Sequence, residues 1–142
     1  MARIQDILDG RTLFSVETTQ SVADVARRMS ELHVGAILVL SNQQLRGLFS
    51  ERDLMTRVVV AGRDPETTPV SQVMTTNLAT IDETASLEEA LECMNERNCR
   101  HLPVMRGSEV SGFISMRDLM HFELDRKTEE LHHLKAYVHG SA

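Results

Sequence analysis

The amino-acid sequence predicts an α/β (α+β) fold in which two pseudo-symmetric β-α-β-β-α repeats pack sheet to sheet, followed by a C-terminal helix. The first observation is an internal repeat, because residues 47–55 (GLFSERDLM) return as residues 112–120 (GFISMRDLM), 65 positions later (112 − 47). Extended to residues 12–55 and 77–120, the same register pairs 44 positions and finds 12 identical. The second observation is length: 142 residues have the size of one domain, so the two halves must share a core.

Each repeat begins with a short predicted strand, at residues 13–17 and 78–82, and continues with an amphipathic helix, at residues 21–33 and 86–98. A serine stands at the N-cap of each helix, and an acidic residue follows it three positions later, as in a capping box. The helix therefore serves as the crossover between the first strand and the next one.

A β-hairpin is predicted after each helix. Residues 36–40 and 45–49 are β-rich runs around a polar turn, and residues 102–105 and 110–114 repeat the pattern around a turn that contains Gly107. Another helix is expected directly after each hairpin, where the repeated Ser-x-Arg-Asp motif begins. Strands that alternate with helices in this way are typical of an α/β unit.

The boundary between the repeats is placed at residue 70. The linker before it contains Gly62, Pro65 and Pro69, which end a helix and turn the chain. We therefore assign residues 1–70 to the first repeat, with an N-terminal helix and the linker. Residues 71–142 form the second repeat with its C-terminal helical extension.

The C-terminal extension is predicted to be a single helix that runs to about His139 and ends at Gly140. Leu124, Leu131 and Val138 recur at intervals of seven along it. This apolar stripe fits two arrangements: packing of the helix on its own domain, or a seam with a second subunit.

Composition narrows the class of protein. The net charge of −6 argues against a broad nucleic-acid surface, which is usually basic. No apolar run approaches the roughly 20 residues that span a bilayer, and nothing near the start resembles a signal peptide. We therefore expect a cytoplasmic protein with no membrane and no nucleic-acid partner. Cys93 and Cys99 lack a CxxC spacing and are expected to be buried or half-buried free thiols.

Each hairpin ends in Ser-x-Arg-Asp, where a hydroxyl, a carboxylate and several unpaired backbone N–H groups converge at the start of a helix. One interpretation is a helix-capping box. The other is a nucleotide site, in which the N–H groups hold a phosphate and the carboxylate accepts hydrogen bonds from a ribose cis-diol. An arginine in the first turn opposes the helix dipole, so its presence in both copies favours a nearby anion. The residues concerned are Ser50, Arg52, Asp53, Ser115, Arg117 and Asp118.

The two repeats differ just before the hairpin. Arg100 and His101 in the second repeat correspond to Gly35 and Ala36 in the first. Two small residues let a planar ring approach the backbone, whereas two basic or hydrogen-bonding residues suit phosphates. The difference predicts one site with a base end and a phosphate end, although His101 is also compatible with a histidine that merely packs at a strand edge.

Together these motifs resemble a known family. The repeated unit, the segments VGAILVL and RHLPV, and the run SERDLMTRVVVAGRDP before the linker closely resemble a tandem pair of CBS domains, the Bateman module. The resemblance covers the chain from about Ile4 to Gly140 and is to the small stand-alone bacterial type. It implies two clefts between the repeats, where adenosine-bearing ligands such as AMP, ADP, ATP, NAD or S-adenosylmethionine bind.

Carried over by position, the resemblance implies that Asp118 holds the ribose hydroxyls of one cleft. The residues implied for its adenine side are Gly35, Ala36 and the backbone of the strand from Thr12 to Phe14, and those implied for its phosphate side are Ser115, Arg117, Arg100 and His101.

In the other cleft, Asp53 would play the part of Asp118, with Ser50, Arg52 and the strand near Thr80. We expect the cleft of Asp118 to bind more strongly, because in the other cleft the base would have to fit against the bulkier Arg100 and His101.

The resemblance implies a regulatory module rather than an enzyme, with an adenosyl nucleotide as a regulatory ligand and no catalytic cofactor. It also implies a disc-like homodimer that relays ligand binding to an unknown protein partner. The main alternative is a dimerising adaptor that binds no nucleotide. The sequence does not support an enzyme, because it contains no nucleophile elbow, P-loop or metal-ligand motif. A metal site at His132, His133 and His139 has unfavourable helical spacing.

Overall fold

The structure is a computed structural model and describes residues 2–138. Its elements in chain order are α1 (Ile4–Leu8), β1 (Ser15–Glu17), α2 (Val22–Leu32), β2 (Ala36–Ser41), β3 (Gln44–Ser50), α3 (Glu51–Asp53) continuing as a π-helical segment (Leu54–Val59), a 3-10 turn (Val70–Gln72), β4 (Ile81–Asp82), α4 (Leu87–Arg97), β5 (His101–Arg106), β6 (Glu109–Ser115) and α5 (Met116–Val138). The predicted order of strands and helices is confirmed in both repeats.

The two repeats form two separate three-stranded sheets of identical topology. In the first sheet β1 runs parallel to β2, and β2 pairs antiparallel with β3; β4, β5 and β6 repeat this arrangement. Even an irregularity in the hairpin register recurs, between Val39 and Leu40 and again between Val104 and Met105. Strands β3 and β6 contact each other, so the repeats meet through their sheets as predicted.

Helices α2 and α4 begin and end as their sequences predict. The hydroxyl of Ser21 accepts a hydrogen bond of 3.1 Å from the backbone N–H of Asp24, and Ser86 accepts an equivalent bond from Glu89. Each helix ends at a residue in the left-handed conformation, His33 at φ 57° and Asn98 at φ 51°. The same caps at the same repeat positions give two crossover helices of equal length.

Each repeat has its own apolar core, and each core is completed by the segment that precedes the other repeat. Ile4 and Ile7 of α1 belong to the core of the second repeat, whereas Val70 and Val73 belong to that of the first. The backbone N–H of Ile4 donates to the carbonyl of Ala85 at 2.9 Å. The N-terminal helix, assigned above to the first repeat, thus packs on the second, because its apolar face fits there. Division of the sequence at residue 70 stays a prediction.

The first strand of each repeat is shorter than predicted. Only Ser15–Glu17 and Ile81–Asp82 pair with the hairpins, because the residues before them have no strand partner. Residues 12–14 and 77–80 are therefore connecting segments rather than strand. This corrects the predicted strand backbone at Thr12–Phe14 and near Thr80.

Helix α5 runs as one continuous element from Met116 to Val138, and Leu119 is its one fully buried residue. It contacts α1, α4 and β6, so its N-terminal part is held by the second repeat. The predicted end at His139 and Gly140 lies outside the described residues. Within residues 2–138, no helix combines the length and apolar character that crossing a membrane requires.

Candidate functional site

A cleft of about 860 Å³ lies between the two repeats. It brings together nine of the residues predicted from the sequence: Thr12, Phe14, Gly35, Ala36, Arg100, His101, Ser115, Arg117 and Asp118. We call it the Asp118 cleft. Both repeats contribute to its walls, because β2 and the segment before β1 lie opposite the C-terminal part of β6 and the start of α5. Residues that lie far apart in sequence therefore share one concave surface.

Asp118 closes a reciprocal capping box at the start of α5. Its backbone N–H donates to the Ser115 hydroxyl at 3.0 Å, and its carboxylate Oδ2 accepts from the Ser115 N–H at 2.8 Å. The other oxygen, Oδ1, accepts a hydrogen bond of 3.0 Å from Arg11. Burial alone would raise the pKa of Asp118, but the hydrogen bonds from Arg11 and Ser115 outweigh it, so the pKa lies below its usual value. The carboxylate is therefore ionised at neutral pH.

One side of the cleft is formed by the small pair Gly35 and Ala36 and the other by Arg100 and His101. The register is symmetric, because Ala36 pairs with Ser50 and His101 pairs with Ser115 at the equivalent positions of the two hairpins. His101 thus presents an aromatic ring to the cleft at the position where the first repeat has the methyl group of Ala36.

The His101 ring stacks on Phe113, with centroids 5.4 Å apart and an interplanar angle of 17°. Burial is the largest influence on this imidazole and lowers its pKa, and the nearby Arg100 acts in the same direction. Asp118 and Glu51 oppose the shift without cancelling it. His101 is therefore a neutral hydrogen-bonding group at pH 7.

Arg100 and Arg117 are exposed cations that have no acidic partner within residues 2–138. In contrast, Arg27 pairs with Glu66 at 2.7 Å and Arg106 pairs with Glu83 at 2.9 Å. These two arginines are neutralised by carboxylates on the surface. The two that line the cleft leave uncompensated positive charge there, which suits an anionic ligand.

The second Ser-x-Arg-Asp copy has a different environment. Asp53 is only 6% exposed, and its carboxylate accepts hydrogen bonds from the Ser50 N–H and hydroxyl, both at 3.1 Å. The Thr75 hydroxyl adds contacts of 3.1 and 3.2 Å to the two oxygens, and Arg57 lies 3.5 Å away. Asp53 is therefore satisfied by the protein itself, as part of the capping box at the start of α3.

Among the described residues, Arg52 and Thr80, the remaining predicted members of the second cleft, form no hydrogen bond or ion pair with this carboxylate. Arg52 is exposed, and Thr80 lies in the connecting segment just before β4. Thr75 reaches Asp53 from the segment before β4, because it forms an isolated β-bridge with Leu48. The assignment of Ser50, Arg52, Asp53 and Thr80 to a second ligand site stays a prediction.

Sequence reasoning missed two charged residues of the Asp118 cleft, Arg11 and Glu51. Arg11 lies in the loop after α1, and nothing in its local sequence marks it. Glu51 could have been found from the sequence, because it aligns with Met116 and is the one difference between the two copies of Ser-x-Arg-Asp-Leu-Met. Both reach the cleft only because the two repeats are packed together.

The other predicted chemistry concerns metals and thiols. No group of three or more His, Cys, Asp or Glu side chains within residues 2–138 is arranged to hold a metal ion, and His139 lies outside that range. Cys93 and Cys99 are free, half-buried thiols, as predicted. Burial raises the pKa of Cys99, so this thiol is protonated at neutral pH.

Fold and cleft together define a class: a tandem-repeat α/β protein with a ligand-sized cleft between its repeats. The chain belongs to the CBS domain family. The family's sequence model matches it twice, over residues 4–60 and 70–125, so both repeats are CBS domains.

Known members of the family resemble the chain over most of its length. It is 32% identical to the CBS domain-containing protein YhcV of Bacillus subtilis, covering 84% of each chain. It is 31% identical to CBSX3, a mitochondrial CBS domain-containing protein of Arabidopsis thaliana, over 93% of this chain and 66% of that protein. Among solved structures, the CBS domain protein PAE2072 of Pyrobaculum aerophilum, complexed with AMP, has a TM-score of 0.74 and 26% identity, over 82% of this chain and 89% of the other.

Proposed function

We propose that this protein is a regulatory module that binds an adenosyl nucleotide in the Asp118 cleft and transmits the binding to a partner. The observation that carries the proposal is the convergence of nine predicted residues on a single cleft, two of them arginines without acidic partners. The volume of about 860 Å³ lies within the range of small-molecule sites. The AMP complex of PAE2072 supports the adenosyl class.

The chemistry of the cleft suits the three parts of a nucleotide. Asp118 is an ionised acceptor that can bind two ribose hydroxyls once Arg11 moves away from Oδ1. Arg100 and Arg117 are available to phosphate oxygens. The base would lie against Gly35 and Ala36, beside the Glu51 side chain.

We also propose that the protein forms a homodimer of CBS pairs in the cytoplasm, and that the ligand changes how the repeats or the subunits are oriented. A ligand can shift such an equilibrium only by its different affinity for the two states. The Arg11–Asp118 ion pair joins the N-terminal segment to the start of α5. Its displacement offers a physical link between ligand and orientation.

Thermal unfolding in the presence of AMP, ATP, NAD and S-adenosylmethionine tests the proposal. A ligand that binds only the folded state stabilises it by mass action, by about 2.7 kcal/mol at 100 times its Kd. For a chain of this size that corresponds to a rise in Tm of roughly 5 to 10 °C. A flat response to all four ligands at millimolar concentration would reject the proposal.

A second candidate function, a dimerising adaptor, is favoured by the surface of α5. Three leucines at helical spacing on one side, Leu124, Leu131 and Leu134, are 62%, 53% and 58% exposed. Apolar residues repeated along a helix are normally covered by a partner. A flat thermal response together with a stable dimer in sedimentation velocity would favour the adaptor over the nucleotide sensor.

A further inference from the structure

Glu51 is an acidic residue of the first repeat that lines the Asp118 cleft. It is the first residue of α3, and its backbone N–H donates to the carbonyl of Gly35 at 2.9 Å. Its carboxyl carbon lies 3.4 Å from the position that a Cβ on Gly35 would occupy. The carboxylate therefore lies beside Gly35, and its charge also reaches His101, a residue assigned to the phosphate side of the cleft.

The Glu51 carboxylate is not neutralised by the protein. Within residues 2–138 it has neither a hydrogen bond nor an ion pair, and the side chain is exposed. Arg11, the other cation of the cleft, is already paired with Asp118 at 3.0 Å. The unpaired charges of the cleft are thus two positive, Arg100 and Arg117, and one negative, Glu51.

The repeat itself offers a neutral comparison. The residue at the position of Glu51 in the second repeat (51 + 65 = 116) is Met116, within a motif that is otherwise the same from serine to methionine. A methionine is thus compatible with the same helix start and the same backbone contact, because the N–H of Met116 donates to the Arg100 carbonyl at 2.8 Å. A negative charge is therefore not required for the local fold.

We propose that Glu51 is a specificity-determining residue that biases the cleft toward adenosyl ligands of low negative charge, monophosphates over triphosphates. This inference rests on the proposed nucleotide function and deepens it. An unpaired carboxylate in the same cleft as the added phosphates weakens binding by about threefold to tenfold per added charge in a partly solvated site. ATP carries about two more negative charges than AMP at pH 8, since each phosphoryl group adds about one.

Titration calorimetry with AMP and ATP at pH 8, with EDTA and without divalent cations, tests the inference. We expect the ratio of the Kd values, ATP over AMP, to fall about tenfold in Glu51→Gln relative to the wild-type protein. Glu51→Met, which reproduces the second repeat, should give a similar fall. Glu92→Gln, an exposed glutamate on α4 away from the cleft, is the control and should leave the ratio unchanged.

The outcomes separate this inference from the proposed function. If AMP binds the wild-type protein and the ratio is the same in Glu51→Gln, or both ligands gain affinity equally, Glu51 does not select by charge and the inference is overturned. If neither nucleotide binds the wild-type protein, the proposed function itself fails. Melting temperatures of the variants confirm that they fold, which the exposure of Glu51 leads us to expect.

Discussion

Arg11 Nη2 donates a hydrogen bond of 3.0 Å to Asp118 Oδ1. The two residues are 107 positions apart, and their contact places an arginine of the N-terminal segment on the carboxylate at the start of α5. Both side chains remain partly exposed, 43% and 27%. The carboxylate is thus held ionised by a cation that solvent and a ligand can reach.

This contact leads to a prediction about stability and pH. Because the pKa of Asp118 is lower in the folded protein than in the unfolded chain, its ion pair stabilises the fold above the unfolded pKa of about 3.9. That stabilisation is lost as the pH falls through the folded pKa. Arg11→Ala should therefore lower the free energy of unfolding by less than about 1 kcal/mol at pH 7, since the pair is partly exposed.

Urea unfolding between pH 7 and pH 3 measures the difference between the wild-type protein and Arg11→Ala. We expect the difference to shrink below about pH 4. Arg46→Ala is a suitable control, because Arg46 bonds to the neutral Gln44 side chain at 3.3 Å. A difference for Arg11→Ala that is constant over the whole range would show that the arginine acts through packing alone.

The two aspartates of the repeated motif should respond differently to the same substitution. Asp118→Ala should reduce the affinity for AMP by about 10-fold to 100-fold, the effect of losing hydrogen bonds to a charged acceptor. Asp53→Ala should leave that affinity nearly unchanged but lower the free energy of unfolding by about 1 to 3 kcal/mol, because it leaves Thr75 and the Ser50 N–H unsatisfied.

Calorimetry for binding and chemical denaturation for stability, applied to both variants, separate these effects. Asp118→Ala also loses a helix cap, so its binding is measured well below its melting temperature. Equal losses of AMP affinity in the two variants would contradict the preference for the Asp118 cleft.

Two glycines of equivalent position should differ in their tolerance of alanine. A Cβ on Gly47 would lie 2.6 Å from the Met74 sulfur and 2.8 Å from the backbone carbonyl oxygen of Thr75. A Cβ on Gly112 would lie 2.5 Å from a terminal methyl group of Leu8. A side chain can rotate away, whereas a carbonyl held in a backbone bridge cannot, so Gly47→Ala should cost more.

We expect about 2 to 3 kcal/mol of destabilisation for Gly47→Ala and about 1 to 2 kcal/mol for Gly112→Ala. Denaturant titrations of the two variants measure the difference. The reverse order would indicate that the linker moves more readily than α1.

The apolar stripe of α5 is the basis of a prediction about oligomeric state. Leu131→Lys combined with Leu134→Lys should convert a dimer into a monomer in sedimentation velocity, because charged side chains cannot be buried in a helical seam without a large desolvation cost. Leu91→Lys changes a partly exposed leucine on α4 and should leave the oligomeric state unchanged. A double variant that remains dimeric would place the dimer contact elsewhere on the molecule.

Much of the fold was predictable because it depends on neighbours in sequence. The caps at Ser21 and Ser86, the crossover helices and the two hairpins arise from local hydrogen bonds and apolar periodicity, and the structure confirms each of them. Membership of the cleft was also predictable for nine residues, because the resemblance to tandem CBS domains carries their positions over from the family. Lengths of the first strands were overestimated, since strand ends depend on pairing partners.

The sequence by itself determined that the chain is a tandem repeat of two CBS units with Ser-x-Arg-Asp at the start of a helix in each. Only the tertiary structure decided how unequal the two copies are. Asp53 is buried beneath Thr75, whereas Asp118 faces an open cleft together with Arg11 and Glu51. The physical reason is that burial and charge pairing depend on which segments meet in space: α1 packs on the second repeat, whereas Val70 and Val73, which precede β4, pack on the first.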